Sequence, residues 1–221
     1  MAEWGTDGTG AWLLILAAFL AGLAASPAAG VLIFRFMPRL GPPPRTSVRI
    51  MTAVLTAVIC AAFAARLGDT AALPAFLFLA ILGTQLARID ISRHLLPNPL
   101  VLLLFSGGLL LLLVAALFDK QAGNVLNALL GAGILFAGYL ILALISPGGI
   151  GMGDVKLAAP VGLYLGYLGW SQLLYGGLFG FVVNGMVTLV VISTKPRNTT
   201  KEVAHGPSML GALAAVALLL R

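Results

Sequence analysis

Eight apolar stretches follow one another along this chain with almost nothing between them, near residues 11–36, 48–65, 71–89, 99–118, 125–146, 155–170, 172–193 and 204–220. Each is close to the length, about 20 residues, that crosses the hydrocarbon core of a bilayer. The sixth is interrupted by Pro160, and the clean apolar run of the eighth starts only at Met209. Composition agrees with this reading. Hydrophobic residues make up 60% of the chain and charged ones 9%, whereas soluble domains are roughly a quarter charged. A soluble globular domain, a disordered tail and a disulfide-knit secreted domain are thereby excluded. The single cysteine, Cys60, lies in an apolar run and offers neither a disulfide nor a zinc site. The 13 Lys and Arg residues are scattered over many short segments rather than gathered in a stripe, so no nucleic-acid partner is expected. The expected fold is all-α: a polytopic transmembrane bundle of about eight helices whose surroundings are the lipid bilayer.

Charge placement orients the bundle. Residues 1–10 carry Glu3 and Asp7, and no Lys or Arg precedes Arg35. A signal peptide would need a positive start and a shorter apolar core, so the first stretch reads as a retained helix with its N-terminus outside. With eight spans, the inner segments then hold Arg35, Arg39, Arg45, Arg49, Arg88, Arg93, Lys156, Lys195, Arg197 and Lys201. The outer ones hold Arg66, Lys120 and Arg221, completing the 13 cations. Ten inside against three outside is the bias expected of a multi-pass protein of the cell's inner or plasma membrane, here with both termini outside. Tyr167, Trp170 and Tyr175 fall at the outer end of spans six and seven, as an interfacial aromatic belt would. The longest inner loop, from Met37 to Arg49, is short and stiffened by Pro42, Pro43 and Pro44. Any chemistry must therefore sit within the bundle or at its edge.

Only seven carboxylates are present. Glu3, Asp7, Asp69 and Asp119 fall in outer segments, and Glu202 lies beside Lys201 in an inner one. Asp90 and Asp154 differ: the first ends span three and the second opens span six, with two complete crossings between them. Both are thus expected at one depth, the cytoplasmic edge. A carboxylate at mid-helix in a membrane costs about 2.5–3.5 kcal/mol, and less near the interface. Two on one side invite a shared site. If they approach closely they cannot both ionise cheaply, and a pair holding one proton can deprotonate a water with one member and protonate a scissile carbonyl with the other. The plainer alternative is that each is an interfacial charge paired with Arg88, Arg93 or Lys156.

The flanking residues bear on that choice. Asp154 follows a glycine-rich run, Ser146-Pro147-Gly148-Gly149-Ile150-Gly151-Met152-Gly153. It is neither a phosphate loop nor a dinucleotide fingerprint, since the required Lys-Ser/Thr and the preceding strand are missing. Gly151 and Gly153 would either permit a tight turn or let a substrate backbone approach Asp154, and Lys156 would bias the pair's ionisation or mark the inner interface. Asp90 is followed by His94, a loop histidine read as solvent-facing, and by Pro97-Asn98, which punctuate the join to span four. Elsewhere, Gly162 with Gly166 and Gly176 with Gly180 make small-xxx-small patterns for helix approach, and Asn184 is read as packing. Cys60, His94 and His205 make no ligand cluster, so neither a metal nor another cofactor is expected.

These elements resemble the type IV prepilin peptidases, membrane aspartyl proteases of the GxGD class. That family pairs an Asp, followed seven residues later by Pro and then Asn or Asp, with a downstream Gly-x-Gly-Asp-x-Lys-Leu. Here Asp90 precedes Pro97-Asn98, and Gly151-Met152-Gly153-Asp154-Val155-Lys156-Leu157 matches the second element in full. His205-Gly206-Pro207 resembles the family's Gly-Pro element, with His in place of the usual aromatic residue. The resemblance covers roughly residues 70–221. It divides the chain into an N-terminal transmembrane helix pair with a basic, Pro-rich inner loop, 1–70, and a peptidase core of about six helices, 71–221. It implies Asp90 and Asp154 as the catalytic pair, with Gly151, Gly153, Lys156, Pro97 and Asn98 shaping the site or binding substrate. The implied substrate is a prepilin or pseudopilin, cut between its basic leader and its hydrophobic helix at the cytoplasmic edge. Bifunctional members carry a large cytoplasmic insertion after span one, often with four zinc-binding cysteines, and also methylate the new N-terminus. The loop here is short and has no Cys, so methyltransferase activity is not expected. Presenilin-type relatives usually show Tyr before the first Asp, where this chain has Ile89.

Two other classes fit the residues less well. A small proton- or cation-coupled transporter using Asp90 and Asp154 would place them near the midplane, not at one edge. An assembly scaffold would tolerate Asn at either position.

Overall fold

A computed structural model of the chain describes residues 9–145, 150–194 and 205–220. Glu3, Asp7, Ser146 to Gly149, Lys195, Arg197, Lys201, Glu202 and Arg221 lie outside the described residues, as does the side chain of Asn184. The described residues form eight α-helices and no strand: α1 (Thr9–Phe36), α2 (Thr46–Leu67), α3 (Leu73–Arg93), α4 (Asn98–Phe118), α5 (Ala122–Ile145), α6 (Met152–Leu168), α7 (Trp170–Thr194) and α8 (Gly206–Leu219). A short 3-10 helix, Pro38–Leu40, follows α1. Helices α1 to α5 are each long and apolar enough to cross a membrane, and α7 and α8 are apolar over shorter stretches. The expected polytopic helical bundle is what the chain forms.

The helix boundaries have local causes. Gly68 closes α2 with φ of 61° and Gly169 closes α6 with φ of 140°, left-handed conformations that favour glycine. Pro97 precedes α4, where its fixed φ and missing N–H suit a helix start. Pro160 does not end α6, which runs through it.

The chain divides into two compact units, Met1–Gln85 and Leu86–Arg221, with the boundary inside α3. In the first, α1 and α2 meet at Gly22, where an added Cβ would lie 2.9 Å from Cys60 Sγ and 3.0 Å from Ala57 Cα. One turn further along is a polar cluster that the sequence reading did not anticipate. The Gln85 side-chain amide donates to both the carbonyl and the hydroxyl oxygen of Ser26, each at 3.0 Å. The Thr56 hydroxyl lies 3.1 Å from Ser26 Oγ and 2.7 Å from Thr84 Oγ1. All four side chains are buried. In an apolar medium such groups satisfy one another and hold helices together.

The second unit is organised around α6, which packs on α4, α5, α7 and α8. Every residue from Val161 to Tyr167 is buried, the pattern of a helix enclosed on all sides. Contact with α5 is at backbone level. A Cβ on Gly131 would sit 2.5 Å from the Gly162 carbonyl oxygen, and one on Gly162 or Gly166 would overlap the carbonyl of Gly131 or Asn127. Gly162 and Gly166 thus do what their spacing suggested. Gly176 likewise seats Leu165, with 2.5 Å to Cδ1, whereas Gly180 has ordinary contacts at 3.8 Å and no need of glycine for approach. Trp170 and Tyr175 are exposed, as a belt requires, but Tyr167 is turned inward and bonded by Asn124.

Candidate active site

The site lies within the second unit, where the ends of three helices converge. Asp90 occupies the last turn of α3, which runs four residues beyond the expected end of its apolar stretch. A carboxylate at a helix C-terminus faces the negative end of that helix's dipole. Its compensation comes from elsewhere: the backbone N–H of Gly206, first residue of α8, donates to Asp90 Oδ2 at 3.1 Å. A helix N-terminus supplies unpaired N–H groups and a favourable dipole for an anion. Asp90 is only 5% exposed, so this donor replaces water that the carboxylate has lost. An added Cβ on Gly206 would lie 2.8 Å from the same oxygen, closer than a carbon can sit.

Asp154 lies in the first turn of α6, half-buried, with the backbone N–H of Gly151 bonded to its carboxylate. It is within electrostatic reach of Asp90. The two acids, on α3 and α6, thus interact electrostatically.

The two motifs are also joined directly. Lys156 Nζ donates to Asn98 Oδ1 at 3.0 Å, so this lysine, a possible ion-pair partner for either acid, binds the other motif's amide. Gly153 faces the loop after α3, where an added Cβ would meet Leu96 Cβ at 3.2 Å. Its lack of a side chain serves that packing, while Gly151 is exposed and faces the Asp154 carboxylate. Pro97 and Asn98 form the start of α4. His94 is exposed, with φ of 49°, and lies within electrostatic reach of Asp90.

Three further residues complete the neighbourhood, of which only Gly206, within the Gly-Pro element, was marked in the sequence. They are Gly206, Tyr139 on α5 and Phe181 on α7. The Tyr139 hydroxyl lies 3.0 Å from His205 Nε2. Phe181 stacks on Tyr139 with ring centroids 4.8 Å apart and lies 5.7 Å from the His205 ring. A Gly-Pro pair opening a helix was a visible signal for Gly206, but a single tyrosine in an apolar run gives none.

A profile of the type IV leader peptidase family matches residues 75–193, more than half of the chain. This chain belongs to the type IV leader peptidase family. Relatives include proteins named prepilin leader peptidase/N-methyltransferase from Aeromonas hydrophila, 31% identical over 161 residues, and from Aeromonas salmonicida strain A449, 30% identical over 161 residues. The similarity covers 72% of this chain and 53% of each relative; the chain spans about half the length of the curated relatives it matches. No solved structure matches it. The region shared with the leader peptidase family contains Asp90 and Asp154, whereas His205, the N-cap of α8, and Gly206, its first residue, lie beyond it.

Proposed function

We propose that this protein is a membrane-embedded aspartyl endopeptidase that removes the basic leader of prepilin-like substrates at the cytoplasmic face of the membrane. The observation that carries the reading is the electrostatic interaction between the two motif carboxylates. Asp90 and Asp154, 64 positions apart in sequence, lie within electrostatic reach of each other, and each is held by a glycine backbone N–H. Like charges so placed favour a state with one proton between them. In that state the ionised carboxylate takes a proton from water as the water oxygen bonds to the scissile carbonyl carbon. The protonated carboxyl gives its proton to the carbonyl oxygen. Collapse of the tetrahedral intermediate breaks the C–N bond, and the amine leaves with the proton taken from water. Neither a metal nor a covalent intermediate takes part.

The substrate side of the proposal rests on the names of the relatives and on charge. Their names couple leader cleavage with N-methylation. Here the segment between α1 and α2 spans only residues 37–45, too short to house a cofactor domain, so the proposed activity is cleavage alone. The cationic bias of the inner segments orients both termini outward and the carboxylates inward. A basic leader is itself retained on the inner side by the same bias, so substrate and site meet there.

Co-expression with prepilins of the same genome tests the activity. Loss of the leader, read as a mobility shift with the new N-terminus defined by mass spectrometry, is the expected result; an uncut prepilin, or a methylated product N-terminus, contradicts it. Orientation is tested with Ser92→Cys in a Cys60→Ala background. That exposed site should resist a membrane-impermeant thiol reagent in intact cells and label once the inner face is opened. Labelling in sealed cells would reverse the topology.

A further inference from the structure

We infer that Tyr139 and His205 are positioning residues of the active site: their hydrogen bond seats the N-terminus of α8 so that the Gly206 N–H meets the Asp90 carboxylate. The inference rests on the peptidase reading above and extends it to two residues outside the two aspartate motifs.

The argument follows a chain of contacts within the second unit. The Gly206 N–H reaches Asp90 Oδ2 at 3.1 Å, and the space beside Gly206 is too tight for even one added carbon. The alignment of this donor therefore depends on where the first residue of α8 is held. The residue that holds it is the preceding one, His205, which occupies the N-cap position of α8. An N-cap side chain usually turns back to bond the helix's own free N–H groups. That of His205 makes no such bond. It points instead to Tyr139, with 3.0 Å between Nε2 and the hydroxyl. Tyr139 is only 2% exposed, so its ring is fixed by packing. Phe181 closes the cluster against both rings, with centroids 4.8 Å from Tyr139 and 5.7 Å from His205. Tyr139 also lies within electrostatic reach of Asp154. One buried side chain on α5 thus interacts electrostatically with one carboxylate and, through His205 and Gly206, sets the donor to the other.

The hydrogen bond makes a distinctive prediction. Removing either partner breaks the bond, and removing the second partner after the first has no bond left to break. Tyr139→Phe, His205→Phe and the double variant should be assayed on a prepilin beside wild type and Asp90→Asn, with each variant's abundance in the membrane and thermal unfolding in detergent measured in parallel. Each single variant should lose about tenfold in kcat with KM within about twofold of wild type, because the substrate surface is untouched while the donor to Asp90 is displaced. The double variant should fall no further than either single, about tenfold below wild type, a coupling that independent structural defects do not show. Wild-type kcat in either single variant, losses in KM alone, or a double variant as impaired as the product of the singles would overturn the inference. Each of these results leaves the peptidase reading intact if Asp90→Asn is inactive. Cleavage by Asp90→Asn removes that reading and the inference with it.

Discussion

The two compact units bury polar groups in opposite ways. In residues up to Gln85 the buried groups are neutral side chains bonded mainly to one another: Ser26, Thr56, Thr84 and Gln85 are linked by hydrogen bonds, and Gln85 Oε1 is left without a partner. From Leu86 onward the decisive groups are two like-charged carboxylates, and their donors are backbone N–H groups of Gly151 and Gly206. The first arrangement carries no charge and leaves one amide oxygen unpaired. The second holds together groups that repel, and an ionised carboxylate has acceptor capacity for several bonds. Neutral side-chain bonding serves cohesion, whereas backbone N–H groups hold two like-charged carboxylates.

The comparison breaks most visibly at the acids themselves. Asp90→Asn or Asp154→Asn should reduce leader cleavage by on the order of 10³-fold, within the range general acid–base groups contribute, while the protein still accumulates in the membrane. The prepilin mobility assay reads this, and appreciable cleavage by either variant would falsify the aspartyl assignment. Gly206→Ala comes next. Its methyl group would lie 2.8 Å from Asp90 Oδ2, and displacing a hydrogen bond to a charged group is worth about 1.5–3 kcal/mol. We expect kcat/KM to fall by about 10- to 100-fold; an unchanged value would mean that the α8 donor is dispensable.

Smaller effects separate stability from chemistry. Gly162→Ala forces a methyl group against the Gly131 carbonyl, an overpacking that costs about 1–3 kcal/mol and should lower the unfolding temperature in detergent. Gly133→Ala on the same helix α5 meets nothing within 4 Å and should change stability by less than about 0.5 kcal/mol. Equal effects at the two sites would contradict the close α5–α6 contact. Thr56→Val should lose about 1 kcal/mol for the missing hydroxyl bonds, with cleavage per folded molecule unchanged. A large loss of turnover in that variant would assign the first unit a part in the reaction.

Much of this organisation was legible in the sequence because membranes make strong demands on it. Long apolar runs can only be spans, and their ends fall within a few residues of the helices observed. Asp90 and Asp154 were visible because a carboxylate next to such runs is expensive and two crossings return the chain to one side. Gly162 and Gly166 were legible through their spacing. Other features depend on which side chains tertiary packing brings together. Tyr167 reads as an interfacial aromatic until Asn124 is found bonded to it. Ser26 and Thr56 look like incidental small residues in apolar helices until Gln85 arrives from α3. Gly206 works through its backbone N–H, which no residue type announces, and nothing in the run around Tyr139 marks its hydroxyl as a partner for a histidine 66 positions away.

The enclosure of α6 bears on how the protein is made. This helix has 17 residues, a rise of about 25 Å against a hydrocarbon thickness of about 30 Å, and it carries Asp154 and Lys156 in its first two turns. On leaving the translocon alone, it would have to place a short, charged-ended segment in lipid. Helix α5 has 24 residues and is long and apolar enough to enter unaided. Gly131, Gly162 and Gly166 let the two backbones touch, so the favourable path into the bilayer is as a paired hairpin, with α6 entering against α5. The aspartate on α6 then reaches its depth by the same event that forms the α5–α6 contact. Biogenesis of α6 and assembly of its contact with α5 become one step.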